Sequence, residues 1–358
     1  MHKNLFEISD DEIQEILCGL FENGEWDSSV SYYFLKKTGI SDSCFKSNII
    51  AILQNCQISH ERLKYHLLTA VKSASVYRKG HLAYFEPLID GKPTLFGSKL
   101  LARIFGLSPD ADCSCLLQMV NEDAQNVDML VEELVFHRID NERFRLIGNQ
   151  KEKLPGAENT FVTWFPGKRN TNCPKLETID LSVDANILWF LSRTGNLSIP
   201  GAEETLRLIE NTVNSDLILK DPFVVSPYYP NPSIILYIIS RGIIFGKLEA
   251  LYHLKDKILD LNAACAIKSN LEAMCIVSTD MLWGKKDFNK FGIEYLEKGM
   301  SKTEAFFVGH FFLGKNRLCF NLSRKPVFQI RYECEALQTA MLLWVKQNLQ
   351  GSLPTEKM

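Results

Sequence analysis

The first part of the chain has the hydrophobic spacing of α-helices. Ser9–Glu12 (SDDE) forms a capping-box pattern and precedes Ile13, Ile16, Leu17 and Leu20. These apolar residues lie three or four positions apart, as on one face of a helix. Similar spacing predicts further helices at Ser28–Lys37, Cys44–Gln54 and Ser59–Lys72.

The rest of the chain contains two kinds of predicted helix. Amphipathic helices, with one apolar and one charged face, are predicted at Gln125–Phe136, Ala202–Val213 and Gly246–Leu259. Helices that are apolar on nearly all sides are predicted at Cys115–Val120, Ile187–Leu191, Ile234–Ile239 and Ala336–Val345. A helix that is apolar all round must be buried all round. The mixture therefore predicts a double ring, in which outer helices shield inner ones.

Strand patterns are few. They occur within Phe144–Phe165 and Ala305–Gln329, and the alternation at Leu318–Leu322 (LCFNL) predicts a strand there. The fold class predicted is all-α, an α/α toroid of about five or six helical hairpins with minor β excursions. No linker or shift in composition divides the chain, so residues 1–358 are predicted to form a single domain. Within it, residues 1–80 supply N-terminal helices and residues 81–350 supply the toroid core.

Small polar or acidic residues precede each apolar helix. These starts are Ser108–Ser114 (SPDADCS), Asp180–Asn186 (DLSVDAN), Tyr229–Ser233 (YPNPS) and Tyr332–Glu335 (YECE). Inner helices of a toroid run roughly parallel, so the four starts should meet at one mouth of a central cavity. An apolar, aromatic-walled well with a few convergent polar groups is typical of a small-molecule site.

Composition and charge exclude several partners. The net charge is −3 without a basic block, which argues against a nucleic-acid-binding surface. The acidic, amphipathic start differs from a signal peptide, and the longest apolar run, Ser233–Gly246, contains Arg241 and is too short to span a bilayer. The ten cysteines include no CxxC pair, which favours free thiols and a cytoplasmic location.

Short motifs connect the predicted starts to a known group of proteins. Asp110–Ser114 (DADCS) resembles the DxDD(T) motif that opens an inner helix in class II terpene cyclases, and Ser182–Asn186 (SVDAN) resembles a degenerate copy. Thr163–Phe165 (TWF) and Tyr228–Pro232 (YYPNP) resemble segments of single-toroid proteins with prenyltransferase/squalene-oxidase-type repeats. The resemblance to the terpenoid cyclase/protein prenyltransferase superfamily extends roughly over residues 82–350. The third acidic position of the DxDD motif is Cys113 in this chain.

The resemblance implies a site and a reaction. In class II cyclases the middle Asp of the motif protonates an alkene or epoxide and starts a carbocation cascade. Asp112 would be that acid and Asp110 its neighbour, with Asp184 as a further acid across the mouth. Burial and a nearby like charge both keep a carboxyl protonated, and aromatic faces stabilise cations. The predicted substrate-binding residues are Asn186, Trp164, Trp189, Tyr228, Tyr229, Asn231 and Glu335.

A purely structural explanation of the same residues stays open. Ser108–Asp110 (SPD) also suits a helix start, with a capping Ser, Pro in the first turn and an acid near the helix dipole. Residues two apart on a helix point about 200° apart, so Asp110 and Asp112 share a cavity only if the start is irregular. The same geometry applies to Asp184 and Asn186.

Other chemistries have less support in the sequence. There is no HExxH, GxSxG, P-loop or GxGxxG motif. A zinc site of Asp112, Cys113, Cys115 and His310 would resemble that of protein prenyltransferases, but this spacing is unlike that of structural zinc sites. We therefore expect no metal and no cofactor.

Two hypotheses follow. The first is a terpene-cyclase-like or isomerase-like enzyme that uses an Asp general acid on an isoprenoid or other apolar small molecule in a central cavity. The second is a non-catalytic toroid that binds a lipid, peptide or protein partner. The sequence leaves the oligomeric state open.

Overall fold

The inner and outer helices predicted from hydrophobic patterning are present in the computed structural model of the chain. It describes residues 8–23, 28–32, 35–40, 43–74, 88–89, 92–93, 110–121, 124–140, 142–165, 175–285, 287–298, 304–310 and 317–350. Within these ranges the helices are α1 (Asp10–Glu22), α2 (Ser43–Leu53), α3 (Glu61–Ala74), α4 (Ala111–Asn121), α5 (Ala124–Phe136), α6 (Gly148–Lys153), α7 (Leu181–Arg193), α8 (Ala202–Asn214), α9 (Leu217–Lys220), α10 (Pro222–Val225), α11 (Pro232–Phe245), α12 (Lys255–Ala263), α13 (Asn270–Leu282), α14 (Lys290–Glu297), α15 (Arg317–Ser323) and α16 (Glu335–Leu349). Short 3₁₀ helices occupy Glu249–Leu254 and Pro326–Phe328.

An inner ring of helices closes on itself. Its members contact one another in the order α2, α4, α7, α11, α13, α16 and back to α2. The apolar composition of these segments explains their position, since α7 is buried continuously from Leu181 to Leu191 and α11 from Ser233 to Ile243. The N-terminal helix α2 completes the ring by packing between the last helix and α4.

The amphipathic helices surround this ring. Helix α1 packs on α16, α3 on α2 and α4, α5 on α4, α8 on α7, α12 on α11 and α13, and α14 on α13. Helix α8 buries Leu208, Ile209 and Val213 on the face toward α7. The predicted all-α toroid is confirmed as a double ring of helices. No helix in the described part of the chain has both the length and the apolar composition needed to cross a membrane.

Short β-strands accompany the two rings of helices. β1 (Ser28–Tyr32), β2 (Leu35–Ile40), β7 (Ala305–His310) and β8 (Gln329–Glu333) form an antiparallel sheet in the order β2-β1-β8-β7. Two smaller pairs of strands are also described: the antiparallel pair β3 (Leu88–Ile89) and β4 (Lys92–Pro93), and the parallel pair β5 (Phe144–Leu146) and β6 (Lys175–Glu177). The sheet places β8 directly before α16, so it fixes the start of that inner helix.

Two local predictions are wrong. The helix predicted at Ser28–Lys37 is instead the hairpin β1–β2, because β1 finds a partner strand, β8, from the distant end of the chain. The strand predicted at Leu318–Leu322 lies in helix α15, where Phe320 is buried while Leu318 and Leu322 are exposed. The predicted helix at Gly246–Leu259 begins later, with a 3₁₀ turn at Glu249.

The helix cap predicted at Ser9 is confirmed: Ser9 caps α1, accepting a hydrogen bond from the Glu12 backbone N–H at 3.1 Å. Ser108 and Pro109, predicted to start a helix, lie outside the described residues. The eight cysteines whose side chains the structure describes are free.

Close packing between α7 and α11 makes Gly242 a testable position. A Cβ atom at Gly242 would lie 2.7 Å from the backbone oxygen of Ala185. We expect Gly242→Ala to lower the free energy of unfolding by about 1–3 kcal/mol, because the helices must separate. The measurement is denaturant unfolding followed by circular dichroism.

The matched control for this substitution is Gly19→Ala on the outer helix α1. A Cβ at Gly19 meets no atom within 4 Å, so this variant should gain about 0.5–1 kcal/mol from the lower backbone entropy of alanine. Equal effects of the two substitutions would contradict a close contact between α7 and α11.

Candidate active site

The starts of the inner helices meet at one end of the ring. Asp112 in the first turn of α4 contacts Asn186 of α7 and Tyr229, which precedes α11. Asn231, which caps α11, donates to Glu272 in the first turn of α13 at 2.7 Å. Tyr332 lies shortly before α16, and its ring packs edge-on to Phe307 with 5.2 Å between the ring centroids. The polar starts predicted from the sequence therefore gather in one place.

Asp110 and Asp112 occupy different positions at the beginning of α4. Asp110 precedes the helix, forms a β-bridge with Trp164, and accepts a hydrogen bond from the Cys113 backbone N–H at 2.6 Å. Asp112 lies within the first turn, and both side chains are buried. Both residues are among those that line one pocket. Asp110 therefore caps the helix and borders the pocket at the same time.

Asp112 is held by two hydrogen-bond donors. The amide Nδ2 of Asn186 donates to its Oδ1 at 2.7 Å, and the hydroxyl of Tyr229 donates to its Oδ2 at 2.5 Å. Asn186 is fully buried and Tyr229 is 1% exposed. Donors on both oxygens stabilise the carboxylate that remains when Asp112 gives up a proton.

A buried arginine lies behind Asn186. The Nη2 atom of Arg241 on α11 donates to Oδ1 of Asn186 and to Oδ1 of Asn48 on α2, both at 3.0 Å. Its guanidinium carbon lies over the rings of Trp189 and Tyr237, at 5.4 and 5.5 Å from their centroids. Arg241 thus connects three inner helices, and Asn186 links it to Asp112.

The pocket beside Asp112 is small and aromatic. Its cavity volume is about 20 Å³, enough for about one water molecule. The lining residues are Asp110, Asp112, Cys113, Thr163, Trp164, Val183, Tyr228 and Phe307. The rings of Tyr228 and Phe307 stack with an interplanar angle of 8°, and Trp164 packs edge-on to Tyr228. Trp164 Nε1 donates to the Tyr228 hydroxyl at 2.5 Å, and burial raises the pKa of that hydroxyl.

Asp180 holds the aromatic wall in place. It caps α7 through the backbone N–H groups of Ser182 and Val183, and its other oxygen accepts from the Tyr228 backbone N–H at 2.9 Å. The Ser226 hydroxyl donates to it at 2.5 Å. Burial raises the pKa of Asp180 to about 7, although these hydrogen bonds act in the opposite direction. The pKa of Asp180 is therefore close to neutral pH. Its hydrogen bond with the Tyr228 backbone N–H anchors the segment that carries Tyr228.

Asp184 lies on the same helix but does not line this pocket. It lies two positions before Asn186, so the two side chains point to different sides of α7. Burial, with a further contribution from Asp180, raises the pKa of Asp184 well above its usual value. Its Oδ2 has no hydrogen-bond partner among the residues that the structure describes. Asp184 is therefore a buried acid whose environment favours the protonated form.

The remaining predicted residues lie around the site rather than beside Asp112. Trp189 is buried against Phe245 and the Arg241 guanidinium. Asn231 caps α11. Glu335 occupies the first turn of α16, with an exposed side chain.

Three residues of the site were missed by the sequence interpretation. Asp180 was visible only as part of a helix start, and Phe307 belongs to a strand that joins the site through the Val308 N–H and the Tyr228 carbonyl, 2.8 Å apart. Arg241 did carry a signal, since a charged residue interrupts an otherwise apolar helix. Such a residue has to find polar partners inside the core.

Metal-binding chemistry has one cluster to consider in the described ranges. Glu15, Cys18 and His60 lie together between α1 and the residues that precede α3. His60 Nδ1 lies 3.4 Å from Cys18 Sγ, while its Nε2 lies 2.8 Å from Glu15. Because opposite ring nitrogens face the thiol and the carboxylate, the three residues form a hydrogen-bonded chain and do not converge on one ion. Near Asp112, burial raises the pKa of the Cys115 thiol, which disfavours the thiolate that zinc requires.

Comparison with known proteins identifies the fold. No protein-family model matches the chain, and no curated protein is similar to it in sequence. Among solved structures, the type II terpene cyclase MstE from Scytonema is 9% identical, with a TM-score of 0.57 over 96% of this chain and 98% of that one. A variant of MstE in complex with its substrate, geranylgeranyl dihydroxybenzoate, is 8% identical, with a TM-score of 0.56 and the same coverage.

A protein from Actinoplanes is also similar. It is 10% identical, with a TM-score of 0.53 over 96% of this chain and 100% of that one. At such identities these matches concern the fold. The chain has the α/α-toroid fold of terpenoid cyclases, in agreement with the resemblance found in the sequence.

The raised pKa of Asp180 predicts a specific pH dependence of stability. The folded-state pKa of about 7 exceeds the unfolded value of about 4, so between these values the folded state binds more protons than the unfolded one. The free energy of unfolding should therefore fall as pH rises from about 4 to above 7. Asp184 contributes in the same direction, so the slope should be reduced but not abolished in Asp180→Asn.

The measurement is urea unfolding of both proteins at several pH values. Asp256→Asn, which changes an exposed carboxyl on α12, serves as the control and should follow the wild type. If the free energy of unfolding depends on pH equally in wild type and Asp180→Asn, Asp180 does not titrate in this range.

Proposed function

We propose that the chain protonates an apolar, isoprenoid-like small molecule at the pocket beside Asp112 and so begins a cyclisation or isomerisation. The observation that carries this proposal is a buried carboxyl that lines an aromatic pocket and is held by Asn186 and Tyr229. The similarity in fold to a type II terpene cyclase supports it.

The proposed reaction transfers one proton. A protonated Asp112 gives its proton to one carbon of an alkene, whose π electrons form the new C–H bond. The other carbon becomes a carbocation, and Asp112 becomes a carboxylate stabilised by Asn186 and Tyr229. A carbon next to the cationic centre then loses a proton to solvent, which ends the reaction, and the Asp112 carboxylate takes up a proton from solvent again. Such general acid catalysis contributes about 10²–10⁴-fold to a rate.

The pocket wall suits a cationic intermediate. The rings of Trp164, Tyr228 and Phe307 border the pocket, and aromatic faces attract positive charge through their quadrupoles. Burial of the site also limits the access of water, which would otherwise capture a carbocation. Asp110 adds a second carboxyl at the rim.

An isoprenoid must displace part of this wall, because the pocket volume is about 20 Å³. MstE was solved with geranylgeranyl dihydroxybenzoate, so a prenylated aromatic acid is a reasonable first substrate to test here. Asp184 stays a predicted second acid, since burial raises its pKa. A single domain, the absence of a cofactor and a cytoplasmic location stay predictions.

The small pocket also favours a second candidate function. A non-catalytic toroid needs no cavity large enough for a folded isoprenoid, and it would bind a lipid, peptide or protein partner elsewhere on its surface. Binding of prenylated compounds without any product would support this candidate over the enzyme.

The test is incubation of the purified protein in D₂O with geranylgeranyl dihydroxybenzoate, geranylgeranyl diphosphate and squalene. Mass spectrometry should detect a cyclised or isomerised product that carries deuterium on carbon, because Asp112 exchanges its proton with solvent. Asp112→Asn should reduce turnover at least about 100-fold, since an amide is not an acid.

Two variants sharpen this test. Asp256→Asn makes the same chemical change on an exposed face of α12 and should retain activity, while Asp184→Asn compares the other buried acid. Unchanged turnover in folded Asp112→Asn, with loss in Asp184→Asn, would make Asp184 the acid. Product without deuterium would contradict proton initiation.

A further inference from the structure

Arg241 is a buried cation in the middle of the inner ring. It is the largest of the fully buried side chains, on a helix that is otherwise almost entirely apolar. Its Nη2 has two amide acceptors, while Nε and Nη1 have no hydrogen-bond partner among the described residues. Burying a guanidinium under such conditions costs free energy.

The contact with Arg241 decides the orientation of the Asn186 amide. A guanidinium donates hydrogen bonds and never accepts them, so only the Oδ1 of Asn186 can face it. The amide Nδ2 must then face Asp112, as observed at 2.7 Å. Asn48 accepts from the same Nη2 atom on the other side and keeps the guanidinium in place.

This orientation has a consequence for the acidic proton. Because Nδ2 of Asn186 donates, Oδ1 of Asp112 is held as the acceptor. The Tyr229 hydroxyl at Oδ2 is able either to donate or to accept. Of these two contacts, the one with Tyr229 is compatible with both protonation states of Asp112.

We propose that Arg241 is a positioning residue that acts through Asn186 to hold Oδ1 of Asp112 as a hydrogen-bond acceptor and so to strengthen Asp112 as an acid. The proposal rests on the proposed role of Asp112 as an acid. The charge of Arg241 reaches Asp112 through the aligned amide dipole and favours its carboxylate form. Asp112 is therefore a stronger acid in the wild type than in a variant without this charge.

Other ionisable groups surround Asp112 and remain in such a variant. Among the described residues they are Asp110 at the pocket rim, Cys115 on the same helix, Asp180 at the start of α7 and Tyr229 at Oδ2. A change on substitution of Arg241 alone is therefore assignable to Arg241.

The experiment is an infrared pH titration of the whole protein without substrate. The carbonyl band of protonated Asp112 is identified by its loss in Asp112→Asn. Arg241→Gln should move the midpoint of this band upward by about one pH unit or more, because a nearby positive charge favours the carboxylate. Arg241→Lys, which keeps the charge, should restore most of the wild-type midpoint. An unchanged midpoint in folded Arg241→Gln would overturn the proposal.

A second variant tests the proposal if Arg241→Gln does not fold. Asn186→Ser leaves Arg241 in place but removes the amide link, and it should shift the midpoint in the same direction. The double variant should shift it by less than the sum of the single shifts, since both changes break one connection. Additive shifts, or a wild-type midpoint in Asn186→Ser, would show that Arg241 does not act through Asn186.

Arg324→Gln is the matched control. Arg324 pairs with Asp221 outside the inner ring, so its removal should leave the Asp112 band unmoved. The titration requires no turnover, and it therefore tests Arg241 even if no substrate is converted. Conversely, activity that survives in Asp112→Asn would reject the proposed acid and leave the infrared result for Arg241 intact.

Discussion

The parallel orientation of the inner helices is the constraint on which the site depends. Parallel helices bring their N-termini together, and each N-terminus carries unpaired N–H groups and a partial positive charge. Side chains that accept hydrogen bonds must therefore collect there. Asp110, Asp180, Asn231 and Ser269 each accept from a backbone N–H at a helix start. The acidic rim that suggests catalysis is thus also a requirement of the fold.

Capping alone does not account for Asp112. Asp110 and Asp180 are occupied by backbone N–H groups at the ends of their helices. The contacts of Asp112 with Asn186 and Tyr229 come instead from side chains on other elements, and neither serves a helix end. The two neighbouring acids of the motif therefore divide the tasks. The first completes the helix, and the second binds side chains of two other elements.

The sequence predicted the elements whose environment is local. The apolar helices were recognisable because they are buried on every side, and Ser9 was recognisable as a cap because its partner Glu12 is three residues away. Strand β1 (Ser28–Tyr32) was missed because it pairs with the distant strand Gln329–Glu333, and no local pattern reveals that partner. Helix α15 was missed because the alternation at Leu318–Leu322 also fits a short helix with one buried residue, Phe320.

The same distinction applies within the site. Asp112 could be recognised from the sequence because the residues next to it along the chain belong to the same short motif. The role of Asn186 depends on Arg241, 55 residues away, and that of Arg241 depends on Asn48, 193 residues away. The sequence nevertheless contained a clue, because Arg241 interrupts the most apolar of the helices that the structure describes. A fully buried charge must be compensated by groups nearby, so a cation at such a position indicates a polar centre before its partners are known. In this toroid that centre is the ring interior beneath Asp112.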